Sequence, residues 1–205
     1  MAIPTAVIPP LESGDRLTRE EFHRLYDMHP EIKRAELVEG VVYVSSPLSI
    51  THGEPHGLVL TWLGVYRSKH PELRLGDNVT VILDDANEVQ PDAFLLREEI
   101  DGPHVNEKGY ILGGPQFIFE IAASSASYDL HDKLAAYQRN GVPEYVVLSV
   151  RDGIIDWFRL RDGQYQRVSP EEGRIESSVF PGLWLNLPRM VNGDLAGVLR
   201  ELEPA

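Results

Sequence analysis

Apolar residues along this chain recur with two different periods, and the switches between them predict the elements. Residues 18–28 read as a short helix, with Thr18 a candidate N-cap and Glu21 three places on in capping-box spacing. Residues 35–44 read as a β-hairpin around Glu39-Gly40, where a tight turn wants a residue tolerant of positive φ followed by glycine. Residues 52–69 read as a helix whose stripe of Val59, Leu63 and Tyr66 is extended by His52 and His56. Residues 79–83 and 93–96 read as strands, with Asp84-Asp85 in a turn between them. Residues 116–123 form a run that is apolar on both faces apart from Glu120, the pattern of a central strand covered on both sides. A helix over 130–139 is closed by Asn140-Gly141, with Pro143 just beyond. Strands at 144–150, 154–160 and 165–168 are punctuated by Asp152-Gly153 and Asp162-Gly163, and a last helix falls at 193–202. The order predicts a mixed α/β fold.

Three charges interrupt these apolar segments: Asp92 after Pro91, Glu120 inside the central run, and Lys133 beside the stripe Leu130, Leu134 and Tyr137. Burying a charge without partners or metal costs several kcal/mol or more, so three such positions close together point to chemistry. Each has a plainer reading. Asp92 alone is an ordinary strand-start aspartate, and Lys133 alone is a surface lysine laying its stem along apolar residues. Glu120 shares a strand face with Ile118 and Ala122, and a carboxylate there should be paired, metal-bound or protonated. In the hairpin, Glu39 belongs to the turn, whereas Glu36 sits within a strand and is a candidate third carboxylate. His52 and His56 have the spacing of a metal pair and equally that of two core-facing histidines, and the segment departs from the zinc-protease pattern. There is no glycine-rich phosphate loop and no Gly-x-Ser-x-Gly elbow. Ser124, Ser125 and Ser127 have no evident base and read as backbone partners at a strand-to-helix turn.

The chain has 205 residues, 42% hydrophobic and 25% charged, values ordinary for a globular protein with a core. One domain spanning 1–205 is expected, with residues 1–14 a Pro-rich flexible tail. The absence of cysteine excludes disulfides and thiolate zinc sites. No basic residue precedes the first apolar stretch and none of the apolar runs approaches a membrane span, so a cytoplasmic location is expected. The net charge of -13 weighs against a nucleic-acid binder, which usually presents a basic face. Clustering rather than total charge makes such a face, and carboxylates gathered around a metal also enter the sum.

Taken together, Ala35-Glu36-Leu37-Val38-Glu39-Gly40, Ser46-Pro47 followed by His52, Pro91-Asp92, Phe119-Glu120-Ile121-Ala122-Ala123-Ser124-Ser125, Asp129 to Lys133, and Gly141-Val142-Pro143-Glu144-Tyr145 form a recognisable series. The series resembles the Uma-type "putative restriction endonuclease" family of the PD-(D/E)XK nuclease superfamily, from about residue 18 to the C-terminal helix. The resemblance implies a restriction-endonuclease-like α/β core, a mixed sheet flanked by helices with N-terminal and C-terminal hairpin or meander additions. It implies a metal-dependent endonuclease acting on DNA, with Mg²⁺ as cofactor and Mn²⁺ as a substitute. Asp92, Glu120 and the backbone carbonyl of Ile121 would hold the metal, with Glu36 joining directly or through water and His52 as an accessory. The superfamily pattern places a lysine two residues after the glutamate. That position here is Ala122, and the resemblance implies that Lys133 on the following helix takes the role. A homodimer is expected, because cutting two strands needs two sites. Two other classes stay open: a catalytically inactive nuclease-fold module that binds nucleic acid or protein, and a regulatory partner that assembles through its C-terminal helix.

Overall fold

The computed structural model describes residues 9–123 and 129–202. Helix α1 (Arg19–Met28) starts at the expected capping box. The Thr18 side chain accepts from the Glu21 amide, and the Glu21 carboxylate takes the Thr18 amide. Strands β1 (Ala35–Val38) and β2 (Val41–Val44) form the predicted hairpin, with Glu39 and Gly40 both at positive φ, as a tight two-residue turn requires. Helix α2 (Ile50–Lys69) carries Pro55 in its interior and buries His52, Val59, Trp62, Leu63 and Tyr66. The Pro-rich segment, expected to be loose, is anchored from residue 9 onward. Leu11 is buried, and the Gly14 amide donates to the Val42 carbonyl at 2.8 Å. The rest of that expectation, residues 1–8, lies outside the described residues.

Among the described residues, two six-stranded sheets and a small hairpin are formed. The first sheet runs in the order β2, β1, β5 (Asn87–Val89), β4 (Val81–Asp84), β8 (Ile111–Leu112), β7 (His104–Val105). The second runs β12 (Gln164–Arg167), β11 (Ile154–Arg161), β10 (Glu144–Ser149), β9 (Phe117–Ala122), β6 (Ala93–Leu96), β3 (Arg74–Gly76). A hairpin of β13 (Arg174–Glu176) and β14 (Trp184–Asn186) leads to helices α4 (Leu187–Val191) and α5 (Leu195–Arg200).

The second sheet positions the candidate chemistry. Strand β9 is buried along its whole length, pairs antiparallel with β6 and runs parallel to β10. A parallel pair needs a crossover. Here it contains a π-helical turn (Asp129–Lys133) and helix α3 (Leu134–Arg139). One face of β6 and β9 presents Ala93, Leu95, Phe117, Phe119 and Ile121 to the apolar side of α2. Trp62 packs edge-on against Phe117 and Phe119, with centroids 6.1 and 6.4 Å away. The opposite face presents Phe94, Leu96, Ile118 and Ala122 to Ala136 and Tyr137 of α3. Glu120 lies on that second face. No helix among the described residues is long and apolar enough to cross a membrane.

Candidate active site

Asp92 and Glu120 meet through the strand register. Ala93 pairs with Phe119, so one further step sets Asp92 opposite Glu120. Each carboxylate caps the other's strand: Ile121 N donates to Asp92 Oδ2 at 2.8 Å, and Asp92 N donates to Glu120 Oε2 at 3.3 Å. Pro91 lacks an N–H, which ends ladder pairing at this point and leaves the acid free to turn inward.

Lys133, the last residue of the π-helical turn, points back over the sheet and is 2% exposed. Its Nζ donates to Glu120 Oε1 at 2.8 Å and lies 2.9 Å from Glu36 Oε1. The surface-lysine reading therefore fails. Glu36, buried on β1, also accepts from the Gln90 amide at 2.7 Å. His52, in the first turn of α2, places Nε2 3.2 Å from Asp92 Oδ2. His56 instead meets the Asp92 backbone carbonyl at 2.7 Å and Asp77 at 3.2 Å. Glu39 stays at the hairpin turn, its exposed carboxylate held by Arg139. Ser124, Ser125 and Ser127 lie outside the described residues.

Asp92, Glu120, Lys133, Glu36 and His52 thus line one cavity of about 300 Å³. Its outer lining runs through Tyr43, Val44, Ser45, Ser46, Pro47, Leu48 and Ser49, with no formal charge in that stretch.

Two further side chains complete the arrangement and were not singled out in the sequence. Arg34 donates from Nη1 to Asp92 Oδ1 at 3.0 Å and from Nη2 to the Gln90 carbonyl at 2.6 Å. The Ser45 amide bonds the Arg34 carbonyl at 3.0 Å, which extends the β1–β2 ladder by one residue. Arg34 and Glu36 therefore project to one face, and that two-residue alternation was the available signal. Tyr137, fully buried on α3, donates its hydroxyl to Glu120 Oε1 at 3.0 Å. Its place four residues after Lys133 puts both groups on one side of the helix, but a tyrosine in an apolar stripe reads first as core.

Burial alone would push the Asp92 carboxyl up. The His52 hydrogen bond, the Arg34 charge and the Ile121 amide outweigh it and hold the acid well below the usual carboxylate range. Burial would likewise lower Arg34, but the charges of Glu36, Asp92 and Glu120 raise it above its ordinary value. Burial, then the Glu120 charge, pushes the Tyr137 hydroxyl far up, so it stays a neutral donor. Among the described residues, three acids, Asp92, Glu120 and Glu36, are interleaved with the basic side chains of Arg34 and Lys133.

The donor chemistry suits a hard divalent cation. Asp92 and Glu120 supply carboxylate oxygens, which magnesium prefers while keeping several waters. Among the described residues no three His, Asp or Glu side chains are gathered as a ready metal cage. An ion here would rest on two carboxylates, a carbonyl and water.

The family model for Uma2, described as "Putative restriction endonuclease", matches residues 19–188. The chain belongs to that family. Its fold is shared by a putative nuclease of DUF820 from Anabaena variabilis ATCC 29413, known from a crystal structure. The two are 15% identical over 91% of this chain and 99% of that one, with a TM-score of 0.66. At that identity the likeness is one of fold, and it makes the mixed sheets with flanking helices a restriction-endonuclease-like core. The β1–β2 hairpin and the β11–β12 meander are its additions. No curated protein matches the chain. Within the Uma2 family match lie Asp92, Glu120, Lys133, Glu36, Arg34 and Tyr137.

Proposed function

We propose that this chain is a metal-dependent endonuclease that hydrolyses DNA phosphodiester bonds. The observation that carries the reading is convergence. Asp92, Glu120 and Lys133 come from a loop, a strand and a crossover turn, yet meet within hydrogen-bonding distance at one cavity. A magnesium ion, with manganese as a substitute, would be held by Asp92, Glu120 and the Ile121 carbonyl, and would supply charge neutralisation and an acidified water. The chain's own residues do the rest. Lys133 orients the attacking water and stabilises phosphate oxygens. Glu36 holds Lys133 in reach of Glu120, and Arg34 with His52 keeps Asp92 ionised and aimed. In this reading the protein works in the cytoplasm as a homodimer, so that two single sites address two strands.

The test is cleavage of supercoiled plasmid with Mg²⁺ or Mn²⁺. Wild-type protein nicks or linearises the plasmid only with the metal, and Asp92→Ala and Lys133→Ala lose the activity. Wild-type protein inert on duplex and single-stranded DNA with either metal would overturn the reading. A second reading, a nuclease fold that binds without cutting, is favoured by the charge of -13. It predicts DNA or protein binding with no metal requirement.

A further inference from the structure

Among the described contacts Lys133 bridges two carboxylates, and each of those two oxygens has a second donor. Glu36 Oε1 accepts from Lys133 Nζ at 2.9 Å and from the Gln90 amide at 2.7 Å. Glu120 Oε1 accepts from Lys133 Nζ at 2.8 Å and from the Tyr137 hydroxyl at 3.0 Å. A buried carboxylate oxygen left bare is strongly destabilised. With double donation, the ammonium can turn toward a ligand in the cavity without leaving either acid bare.

The two second donors are not equivalent. The Gln90 amide is backbone, set between β5 and Pro91. Tyr137 is a side chain, and its position is fixed by packing. Its ring lies 4.8 Å from that of Tyr145, among Ala136, Val142 and Ile118. A phenol also suits this position, since it donates one hydrogen bond and brings no formal charge of its own. Holding Oε1 leaves Glu120 Oε2 turned toward Asp92, whose amide it accepts at 3.3 Å. That is the side on which two acids could share a cation.

We infer that Tyr137 is a positioning residue. It anchors Glu120 Oε1 so that Lys133 can leave that oxygen for the phosphate, and so that Oε2 faces the shared metal position. The inference rests on the nuclease reading, but it fails separately from it.

The experiment is Tyr137→Phe, which keeps the ring and removes the donor. Mn²⁺ affinity is measured by calorimetry in the absence of DNA, and kcat and KM are measured on plasmid. The expected result is a loss of metal affinity of about tenfold, the scale for removing an outer partner of a ligating group. kcat should fall by a similar factor, with KM within twofold. In a Glu120→Gln chain, adding Tyr137→Phe should change metal affinity no further, because the tyrosine acts through that carboxylate. Val198→Ala, a core truncation in the apolar cluster on the opposite side of the second sheet, should lower the unfolding midpoint while metal affinity stays put. Unchanged metal affinity and kcat in Tyr137→Phe overturn the inference, as does full additivity with Glu120→Gln. A Tyr137→Phe chain that does not fold overturns it too, since the role is then structural. Wild-type protein that binds no Mn²⁺ overturns the nuclease reading itself.

Discussion

Glu144 and Glu120 are buried acids on neighbouring parallel strands, and they live differently. Glu144 opens β10 opposite Phe117, at the start of the parallel pair, whereas Glu120 pairs with Val147 farther along, near the strand ends. Glu144 is fully buried and saturated. Arg159 Nε donates at 2.9 Å, the Ser178 amide and hydroxyl at 2.9 Å each, and the Ser177 hydroxyl closes the other oxygen. It has one cation of its own, with two hydroxyls and a backbone amide for the remainder. Glu120 shares its cation with Glu36, faces Asp92, and lies on a cavity. A buried acid can be read from this contrast. A carboxylate whose surroundings answer every lone pair ties segments together, here β10, β11 and the loop before β14. Several carboxylates gathered on one cavity and sharing their basic partners are held together by the rest of the fold. Glu120 also sits toward the C-terminal end of a parallel strand, where open sheets place ligand sites.

Three substitutions put the division between anchor and machinery at risk. The largest effect is expected in Asp92→Ala, where metal-dependent cleavage falls by more than about 100-fold, beyond the usual loss for an outer partner. Glu144→Ala, assayed at equal folded concentration, should cleave like the wild type. It should instead lose about 3 kcal/mol of stability in urea titration, since Arg159 is left partly buried and unpaired. If Glu144→Ala abolishes cleavage in folded protein, the two acids are not separable as machinery and anchor. A smaller effect follows for Glu36→Gln. Lys133 keeps Glu120, and Gln can still accept from the Gln90 amide, so stability should drop by only about 1 kcal/mol, the scale of one hydrogen bond. Cleavage should fall by about 10- to 100-fold. A stability loss as large as that of Glu144→Ala would show that Glu36 is an anchor as well.

The legible and the hidden parts of this molecule divide along the same line. Asp92, Glu120 and Lys133 stand out in the sequence because charges interrupt apolar periodicity, and their convergence follows from strand pairing and one crossover. The long helices, the hairpin and the central strand were legible for a like reason, since a period sustained over several residues leaves few alternatives. Strands β3, β5, β7 and β8 were not. Arg74-Leu75-Gly76 and Asn87-Glu88-Val89 are too short to show alternation, and they become strands because β6 and β4 offer them an edge. Gly76 also lies under the Phe94 ring, where a Cβ would collide, a constraint visible only in three dimensions. Strands β13 and β14 and helix α4 were missed likewise, being three to five residues each. Arg34 follows Lys33 in an exposed-looking segment, and only its two-residue offset from Glu36 hints that it turns inward. Tyr137 satisfies an apolar stripe so well that its hydroxyl goes unnoticed.

Acid is the gentlest probe of the site, because it tests whether Asp92 is held ionised by Arg34 and His52. Asp92 is the clearest case: burial would raise it, yet the His52 bond and the Arg34 charge hold it below its ordinary value of 3.8. A group whose folded pKa lies below its unfolded one adds stability that is complete above the unfolded value. That stability is lost as pH falls toward the folded value. Between pH 5 and 8, about one unit or more above the ordinary carboxylate range, Asp92 should therefore add no slope to stability. Below about pH 4, the urea midpoint of the wild type should fall more steeply than that of Asp92→Asn, which has no proton to bind there. Equal slopes below that pH would mean that the folded site grips the Asp92 carboxylate no better than water does. The picture of Asp92 held ionised by Arg34 and His52 would then fail.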